Sequence, residues 1–202
     1  MKTEMSGATA NSSELVVVIG CSTGGPSALQ RVFEQFPHTF PYPIVVAQHM
    51  PAHFTALLAS RLNERFPFTI KEAQHGERLK NSTIYISPGG QQTMLIKKMN
   101  DAYIKIVEPQ TGDLYHPSIN DLFASTVWFK KKVLIILSGM GNDGSASLAR
   151  VKESGSCVIV VESVESAVIA GMPNAAQKTG HVDEVLTSEE IGKWIISKGA
   201  FL

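Results

Sequence analysis

The chain has 202 residues, enough for one domain with a substantial core. Its 18 acidic and 18 basic residues balance, so no basic face is indicated and nucleic acid is not an expected partner. No apolar stretch reaches the length of a membrane span, and the polar N-terminus lacks a signal-peptide pattern, so no membrane insertion is predicted. Two cysteines are too few for a disulfide framework, so we predict a cytoplasmic protein with reduced thiols.

Residues 1–14 are small and polar and are predicted to form a disordered leader. After them, short apolar runs alternate with helical patterns. Seven strands are predicted, at 15–20, 43–48, 69–73, 83–87, 133–138, 157–162 and 182–186. Helices are predicted at 26–36, 54–65, 118–129, 144–154 and 188–197. The helix at 54–65 has one apolar stripe at three- and four-residue spacings, formed by Phe54, Leu57, Leu58, Arg61 and Leu62.

The segments 92–98 and 102–107 flank Met99-Asn100-Asp101 and predict a hairpin inserted into the parallel pattern. Alternating strands and helices predict a parallel sheet covered on both faces. The expected fold is therefore a doubly wound α/β domain over residues 15–202, with a mostly parallel sheet of about seven strands and an inserted antiparallel hairpin.

A small-residue turn, Gly20-Cys21-Ser22-Thr23-Gly24-Gly25, leads from the first predicted strand into the first predicted helix. Such a turn holds its serine away from the sheet, beside the N–H groups that begin the helix, and it suits either a nucleophile or a bound anion. Ser22 taken alone is explained equally well as the cap of that helix.

His49 and Asp143 also follow predicted strands, in Gln48-His49-Met50-Pro51 and in Ser138-Gly139-Met140-Gly141-Asn142-Asp143-Gly144. Ligands of open parallel sheets bind outside the carboxyl ends of the strands, so the three side chains are expected at one edge. A serine nucleophile needs a base, and a carboxylate holds that base in one tautomer.

Each of these residues also has a structural interpretation. His49 could satisfy a loop carbonyl, and either Asp143 or Asn142 could cap the helix predicted at 144–154. The coincidence of a serine, a histidine and an aspartate at three strand ends favours a Ser22-His49-Asp143 triad.

Other motifs fit less well. The G-x-S-x-G elbow of α/β-hydrolases requires the acid before the histidine, whereas His49 precedes Asp143 and His181 lies in a polar turn. The turn at Ser22 lacks the second glycine of a dinucleotide fingerprint and the lysine of a P-loop. His49 and His53 are four residues apart, but no glutamate completes an H-E-x-x-H motif, so no metal site is predicted.

The motifs around Ser22, His49 and Asp143 resemble those of the catalytic domain of the chemotaxis protein-glutamate methylesterases, CheB. The resemblance runs in order over roughly residues 15–197 and includes Gly76-Glu77-Arg78, Ile84-Tyr85-Ile86-Ser87-Pro88-Gly89 and Ala170-Gly171-Met172-Pro173. It implies hydrolysis of glutamate γ-methyl esters on methyl-accepting chemoreceptors, with release of methanol, and deamidation of certain receptor glutamines. No cofactor is implied, because this hydrolysis needs only the triad and water.

Carried over by motif, the resemblance implies that Ser22 is the nucleophile, His49 the general base and acid, and Asp143 the residue that orients His49. Oxyanion donors and other site-lining groups are expected around Thr23, Met140, Gly141 and Asn142. Arg61 and His116 are expected to guide the receptor substrate, although a solvated helix-face charge explains Arg61 as well.

The chain also departs from the family pattern. Where the family usually has Arg-Pro-Ser-Val-Asp, this chain has His116-Pro117-Ser118-Ile119-Asn120. His116 therefore replaces a fixed positive charge, and Asn120 replaces a carboxylate. The family's N-terminal receiver domain has no counterpart in residues 1–14, so an excised catalytic domain and a stand-alone form both fit, and a separate regulatory protein is a further expected partner.

Two alternative functions remain at this stage. One is a small-molecule esterase or amidase of the same fold. The other is a non-catalytic binding module, in which the glycine turn holds a phosphate or a partner protein.

Overall fold

The structure, a computed structural model, describes residues 14–198. The predicted leader at 1–14 lies outside these residues except for Glu14. Within the described range, no helix is both long enough and apolar enough to cross a membrane.

Nine strands and six helices alternate along the described part of the chain. The strands are β1 (Leu15–Cys21), β2 (Ile44–Gln48), β3 (Thr69–Glu72), β4 (Thr83–Ile86), β5 (Gln92–Lys98), β6 (Asp101–Val107), β7 (Lys131–Ile136), β8 (Ser156–Glu162) and β9 (Glu184–Leu186). The helices are α1 (Gly25–Phe33), α2 (Phe54–Arg65), α3 (Ile119–Ala124), α4 (Leu148–Glu153), α5 (Gly171–Gln177) and α6 (Ser188–Lys198).

Seven of the strands form one parallel sheet in the order β3-β4-β2-β1-β7-β8-β9. The predicted parallel sheet is confirmed, and each strand end lies within two residues of its predicted position. The predicted hairpin is also confirmed, but β5 and β6 pair antiparallel in a separate two-stranded sheet. The central strand β1 has neighbours on both sides, so its carboxyl end lies in the middle of the sheet edge.

Side chains that alternate along the strands build one core on each face of the sheet. Val17 and Ile19 of β1 face the core under α1, α2 and α6, whereas Val16 and Val18 face the core under α3, α4, α5 and the hairpin. All four are fully buried, and burial of each such side chain stabilises the fold by roughly 1.5–3 kcal/mol. The sheet is therefore a layer between two cores, as the continuous apolar runs predict.

Three predicted helices are shorter in the structure than predicted. The helix predicted at 26–36 is α1, which ends at Phe33. The helix predicted at 118–129 is α3 and ends at Ala124, because the hydroxyls of Ser125 and Thr126 donate to carbonyls three residues earlier and close the turn. The helix predicted at 144–154 is α4 and begins only at Leu148, because Gly144 adopts a left-handed φ of 92° in the preceding turn.

α5 was not predicted from the apolar pattern. Its sequence, Gly171–Gln177, contains small residues and Pro173, and it lacks a long apolar stripe. Pro173 lies in the first turn, where the missing N–H removes no intrahelical hydrogen bond, so the segment is helical despite the proline.

The apolar stripe predicted on α2 is only partly buried. Leu58 and Leu62 enter the core, but Phe54 and Leu57 are 57% and 47% exposed. Thr55 lies on the side of α2 that faces the protein. It is fully buried, and its hydroxyl donates to Glu72 at 2.6 Å. The start of α2 therefore presents apolar side chains to solvent at the edge of the sheet where β2 ends.

Candidate active site

Ser22 lies directly after β1, in the turn that leads into α1. Its N–H donates to the carbonyl of Ser138 at 2.9 Å, and its carbonyl accepts from Gly25 at 2.8 Å. α1 is capped by Gly24 in a left-handed conformation, with no side-chain hydrogen bond to the first turn, so the capping interpretation of Ser22 is wrong. Among the described residues, the Ser22 hydroxyl has no hydrogen-bond partner and faces a cleft.

His49 lies beside Ser22 because β1 and β2 run in register. Cys21 pairs with Gln48, the last residue of β2, and the N–H of His49 donates to the Cys21 carbonyl at 3.0 Å. The two residues that follow these strands, Ser22 and His49, line the same cleft. The register thus brings the expected nucleophile and base together.

The His49 ring has two specific contacts. Nε2 lies 2.8 Å from Oδ2 of Asp143, and the ring stacks on Tyr115 with the centroids 4.6 Å apart and the planes 4° from parallel. Because a carboxylate only accepts, Nε2 donates and Nδ1 is the nitrogen left to take a proton from serine. The alternative interpretation, in which the His49 ring satisfies a loop carbonyl, is wrong, since its partner is a carboxylate.

Asp143 accepts three hydrogen bonds besides the one from His49. Its Oδ2 also accepts from the N–H of Ile119 at 2.7 Å, and its Oδ1 accepts from Asn120 at 3.0 Å and Gly144 at 2.9 Å. Its side chain is only 1% exposed. Four donors around two oxygens suit an ionised carboxylate, which accepts at both atoms and donates at neither.

Asp143 does accept hydrogen bonds from the start of a helix, but this helix is α3 and not the one predicted at 144–154. The predicted helix at 144–154 begins after Ser147, whereas Asp143 accepts from the first two residues of α3. The N–H groups there have no intrahelical acceptor, so Asp143 satisfies two of them while it also contacts Nε2 of His49.

The expected oxyanion donors are the N–H groups of Thr23, the residue after Ser22, and of Met140. Thr23 lines the cleft, and Gly139, which precedes Met140, packs so tightly that a Cβ there would lie 2.9 Å from the Ser22 Cβ. Within residues 14–198, the N–H groups of Thr23 and Met140 donate no hydrogen bond. Two unpartnered N–H groups beside a serine are what stabilisation of an oxyanion requires.

The remaining predicted lining residues lie further round the same loop. Gly141 has a φ of 90°, and its backbone passes close to the hydroxyl of Tyr115. Asn142 borders a second depression that also contains Asp143 and Tyr115, and its carbonyl accepts from the hydroxyl of Ser145. None of Met140, Gly141 and Asn142 lines the cleft in front of Ser22.

The cleft has a volume of about 440 Å³ and opens to solvent on one side. Its lining residues are Ser22, Thr23, Gly24, Pro26, Gln48, His49, Met50, Pro51 and Phe54. Arg61 is exposed on α2, seven residues beyond Phe54, and does not reach this lining. His116 is exposed too, with Nε2 3.2 Å from the carbonyl of Asp113.

The other histidines do not form a competing site. His181 precedes β9, at the amino ends of the strands and so opposite the cleft. His53 caps α2 through its backbone, and the part of the chain that the structure describes contains no group of three potential metal ligands.

A buried carboxylate outside the predicted site residues supports the turn that holds Ser22. Glu162 is fully buried at the end of β8 and accepts from the N–H of Ser138 at 2.8 Å and from Arg31 at 3.3 Å. The Ser138 hydroxyl in turn donates to the Thr23 carbonyl at 2.7 Å. Glu162 follows the same strand-end rule as the other site residues, so the sequence did contain a signal for it.

Neither cysteine competes with the serine as a nucleophile. Burial raises the pKa of the Cys21 thiol far above its usual range and raises the pKa of the Cys157 thiol to about 11. Both thiols are therefore protonated at neutral pH, and both are unpaired.

Comparison with known proteins identifies close relatives of this arrangement. A family model described as CheB methylesterase matches residues 17–195. A protein-glutamate methylesterase/protein-glutamine glutaminase of Bacillus subtilis is 39% identical over 199 residues, covering 98% of this chain and 56% of the relative. One from Desulfitobacterium hafniense is 42% identical over 184 residues, covering 90% and 47%. The chain thus spans about half the length of these curated relatives.

A solved structure agrees with the fold as well. The Thermotoga maritima CheB methylesterase catalytic domain superposes with a TM-score of 0.87 at 34% sequence identity. The match covers 91% of this chain and 98% of the other, so the two share one architecture from end to end of that domain.

Replacing Asp143 with asparagine is expected to slow the reaction of Ser22 with a serine-directed fluorophosphonate by about 10⁴-fold, because an amide favours the wrong histidine tautomer. The rate is measured by intact-mass spectrometry. Asp121→Asn, at an exposed position of α3, is the matched control and is expected to react at the wild-type rate. Equal rates for Asp143→Asn and wild type would contradict the assigned orientation of His49.

Removing the ring stacked on His49 is expected to have a smaller effect. Tyr115→Ala should lower the same reaction rate about fivefold, because aromatic stacking contributes roughly 0.5–1.5 kcal/mol to holding the ring plane. Tyr115→Phe keeps the stacking and should react within about twofold of wild type. A Phe variant as slow as the Ala variant would assign the effect to the hydroxyl instead.

Proposed function

Because the chain belongs to the CheB methylesterase family, we propose that it hydrolyses the γ-methyl esters of glutamate side chains on methyl-accepting chemoreceptors. The observation that carries this proposal is the 2.8 Å contact between His49 and Asp143 at the strand end next to Ser22. A serine, a base and an orienting carboxylate are the groups that acyl transfer requires.

In the proposed acylation step, Ser22 Oγ attacks the ester carbonyl while Nδ1 of His49 accepts the hydroxyl proton. Asp143 stabilises the resulting imidazolium through the hydrogen bond at Nε2. The N–H groups of Thr23 and Met140 donate to the oxyanion, and loss of one such donor typically costs about 10²–10³-fold in rate. The Ser22 hydroxyl and His49 need to approach only when substrate is bound, since catalytic hydrogen bonds are often long without it.

Collapse of the tetrahedral intermediate breaks the bond to the methoxy group, which leaves as methanol after taking the proton from His49. A water molecule then attacks the glutamyl ester of Ser22 with His49 again as base, and the products are free Ser22 and a glutamate carboxylate. A glutamine substrate undergoes the same steps with ammonia as the leaving group. The proposed activity therefore includes deamidation.

The shape of the cleft supports a protein substrate over a small ester. Small-molecule sites usually bury most of their ligand, whereas this cleft is open and bordered by the exposed side chain of Phe54. Leu57 and Arg61 continue from Phe54 along the exposed side of α2, and we assign them to contact with the receptor. The proposed location is the cytoplasm, in keeping with two unpaired cysteines, and a separate regulatory protein is a proposed partner.

Ser22→Ala is expected to reduce methanol release from methylated receptor by about 10⁴-fold or more, because the nucleophile is lost. Methanol is measured by gas chromatography with receptor in membranes. Ser27→Ala is the matched control, since Ser27 is exposed on α1 and only accepts a hydrogen bond from Arg31. A Ser22→Ala protein that releases methanol at the wild-type rate would refute the mechanism.

The same assay separates the alternatives. A higher kcat/KM for a soluble ester such as p-nitrophenyl acetate than for methylated receptor would favour a small-molecule esterase. A wild-type protein that neither releases methanol nor reacts with fluorophosphonate would favour the binding module.

A further inference from the structure

Gln48 is the last residue of β2, and its carboxamide lies between the two residues assigned as nucleophile and base. Its Nε2 is 3.0 Å from the carbonyl oxygen of Ser22 and 3.0 Å from that of His49. The NH₂ group therefore uses both protons to join the two main chains. Gln48 is 1% exposed although it borders the cleft, so water does not compete effectively for these bonds.

The surroundings fix the carboxamide in one orientation. Oε1 accepts from the thiol of Cys21 at 3.1 Å, and burial keeps that thiol protonated by raising its pKa. A Cβ at position 25 would lie 2.2 Å from Oε1, so the glycine at this position leaves room for the carboxamide. A flip of the amide would place Nε2 against the thiol and Oε1 against two carbonyl oxygens, which cannot donate.

The backbone hydrogen bonds between β1 and β2 end next to the side chain of Gln48. The last bond between the two strand ends is the one from His49 N–H to the Cys21 carbonyl. Beyond it, the carbonyls of Ser22 and His49 belong to turns that leave the sheet in different directions, one towards α1 and one towards α2. The carboxamide of Gln48 is the group that connects these turns at this point.

We propose that Gln48 is a positioning residue that sets the separation of the Ser22 hydroxyl and the His49 ring by hydrogen-bonding both backbones with one carboxamide. This inference deepens the proposed acyl-transfer function, on which it rests. Gln48 touches neither the ester nor the transferred proton in this role. Its contribution is geometric, and a displacement of about 1 Å between reacting groups costs about 10²-fold in rate.

The test compares Gln48→Met and Gln48→Glu with wild type. Methionine keeps the length and lacks both donors, whereas glutamate keeps the shape and faces the two carbonyls with oxygen. Both variants are expected to lower the saturating rate of fluorophosphonate reaction at Ser22 by about 10–100-fold, with the half-saturating concentration nearly unchanged. If Gln48 had a purely structural role, the variants would have a lower melting temperature, but the folded variants would react with the fluorophosphonate at the wild-type rate.

Cys21→Ala is the matched control because it removes the bond at Oε1 and leaves both Nε2 bonds. It is expected to react within about threefold of wild type, because the two carbonyl acceptors at Nε2 still hold the carboxamide in the same orientation. A wild-type rate for folded Gln48→Met, or a loss in Cys21→Ala equal to that in Gln48→Met, would overturn the proposal.

A measurement on the wild-type protein decides the matter if both Gln48 variants fail to fold. The two side-chain amide protons of Gln48 should exchange slowly with solvent and show couplings across hydrogen bonds to the carbonyl carbons of Ser22 and His49 by NMR. Rapid exchange without couplings would overturn the proposal. Because the probe reports on Ser22 reactivity, absence of methanol release from receptor would refute the proposed substrate while leaving the role of Gln48 to its own test.

Discussion

The parallel register of β2, β1 and β7 is the constraint on which the site depends. Cys21 pairs with Gln48 on one side, and Gly20 pairs with Ile136 on the other, so the three strands end at nearly the same level. Both faces of β1 are buried, so a slip of one residue would move each alternate side chain into the opposite core. The two cores therefore enforce the register, and the register determines which residues leave the sheet beside one another.

Buried polar groups then fix the turns that the strands leave open. Asp143 satisfies two N–H groups of α3 with the same carboxylate that contacts His49, and Glu162 accepts from the N–H of Ser138, whose carbonyl accepts from Ser22. These hydrogen bonds belong to the fold and to the site at once. Charged acceptors with backbone N–H donors are stronger than neutral pairs, so the arrangement is organised before substrate arrives. In the proposed mechanism little rearrangement is left for the chemical step.

The apolar runs predicted the sheet because fully buried strands leave a strong pattern, and the strand-end rule predicted which polar residues share one edge. The sequence did not predict the partners that depend on loops. Tyr115 comes from a loop whose path is set by tertiary contacts, and nothing in its local sequence indicates stacking on His49. The sequence indicated only that Gln48 ends a strand, because its hydrogen-bond partner Ser22 lies 26 positions earlier in the chain. Phe54 and Leu57 fitted a buried stripe by spacing, but the hydrogen bond of Thr55 turns that side of α2 outward.

The nucleophilicity of Ser22 should exist only in the folded arrangement of its neighbours, and one labelling measurement addresses this directly. The wild-type protein is treated with a fluorophosphonate in buffer and in denaturing urea, and the labelled position is located by peptide mass spectrometry. We predict stoichiometric label on Ser22 in buffer and none in urea, because only the folded sheet brings His49 and Asp143 next to the serine. Label at another residue in buffer, or equal labelling of Ser22 in urea, would contradict the assembly of a catalytic triad at these strand ends.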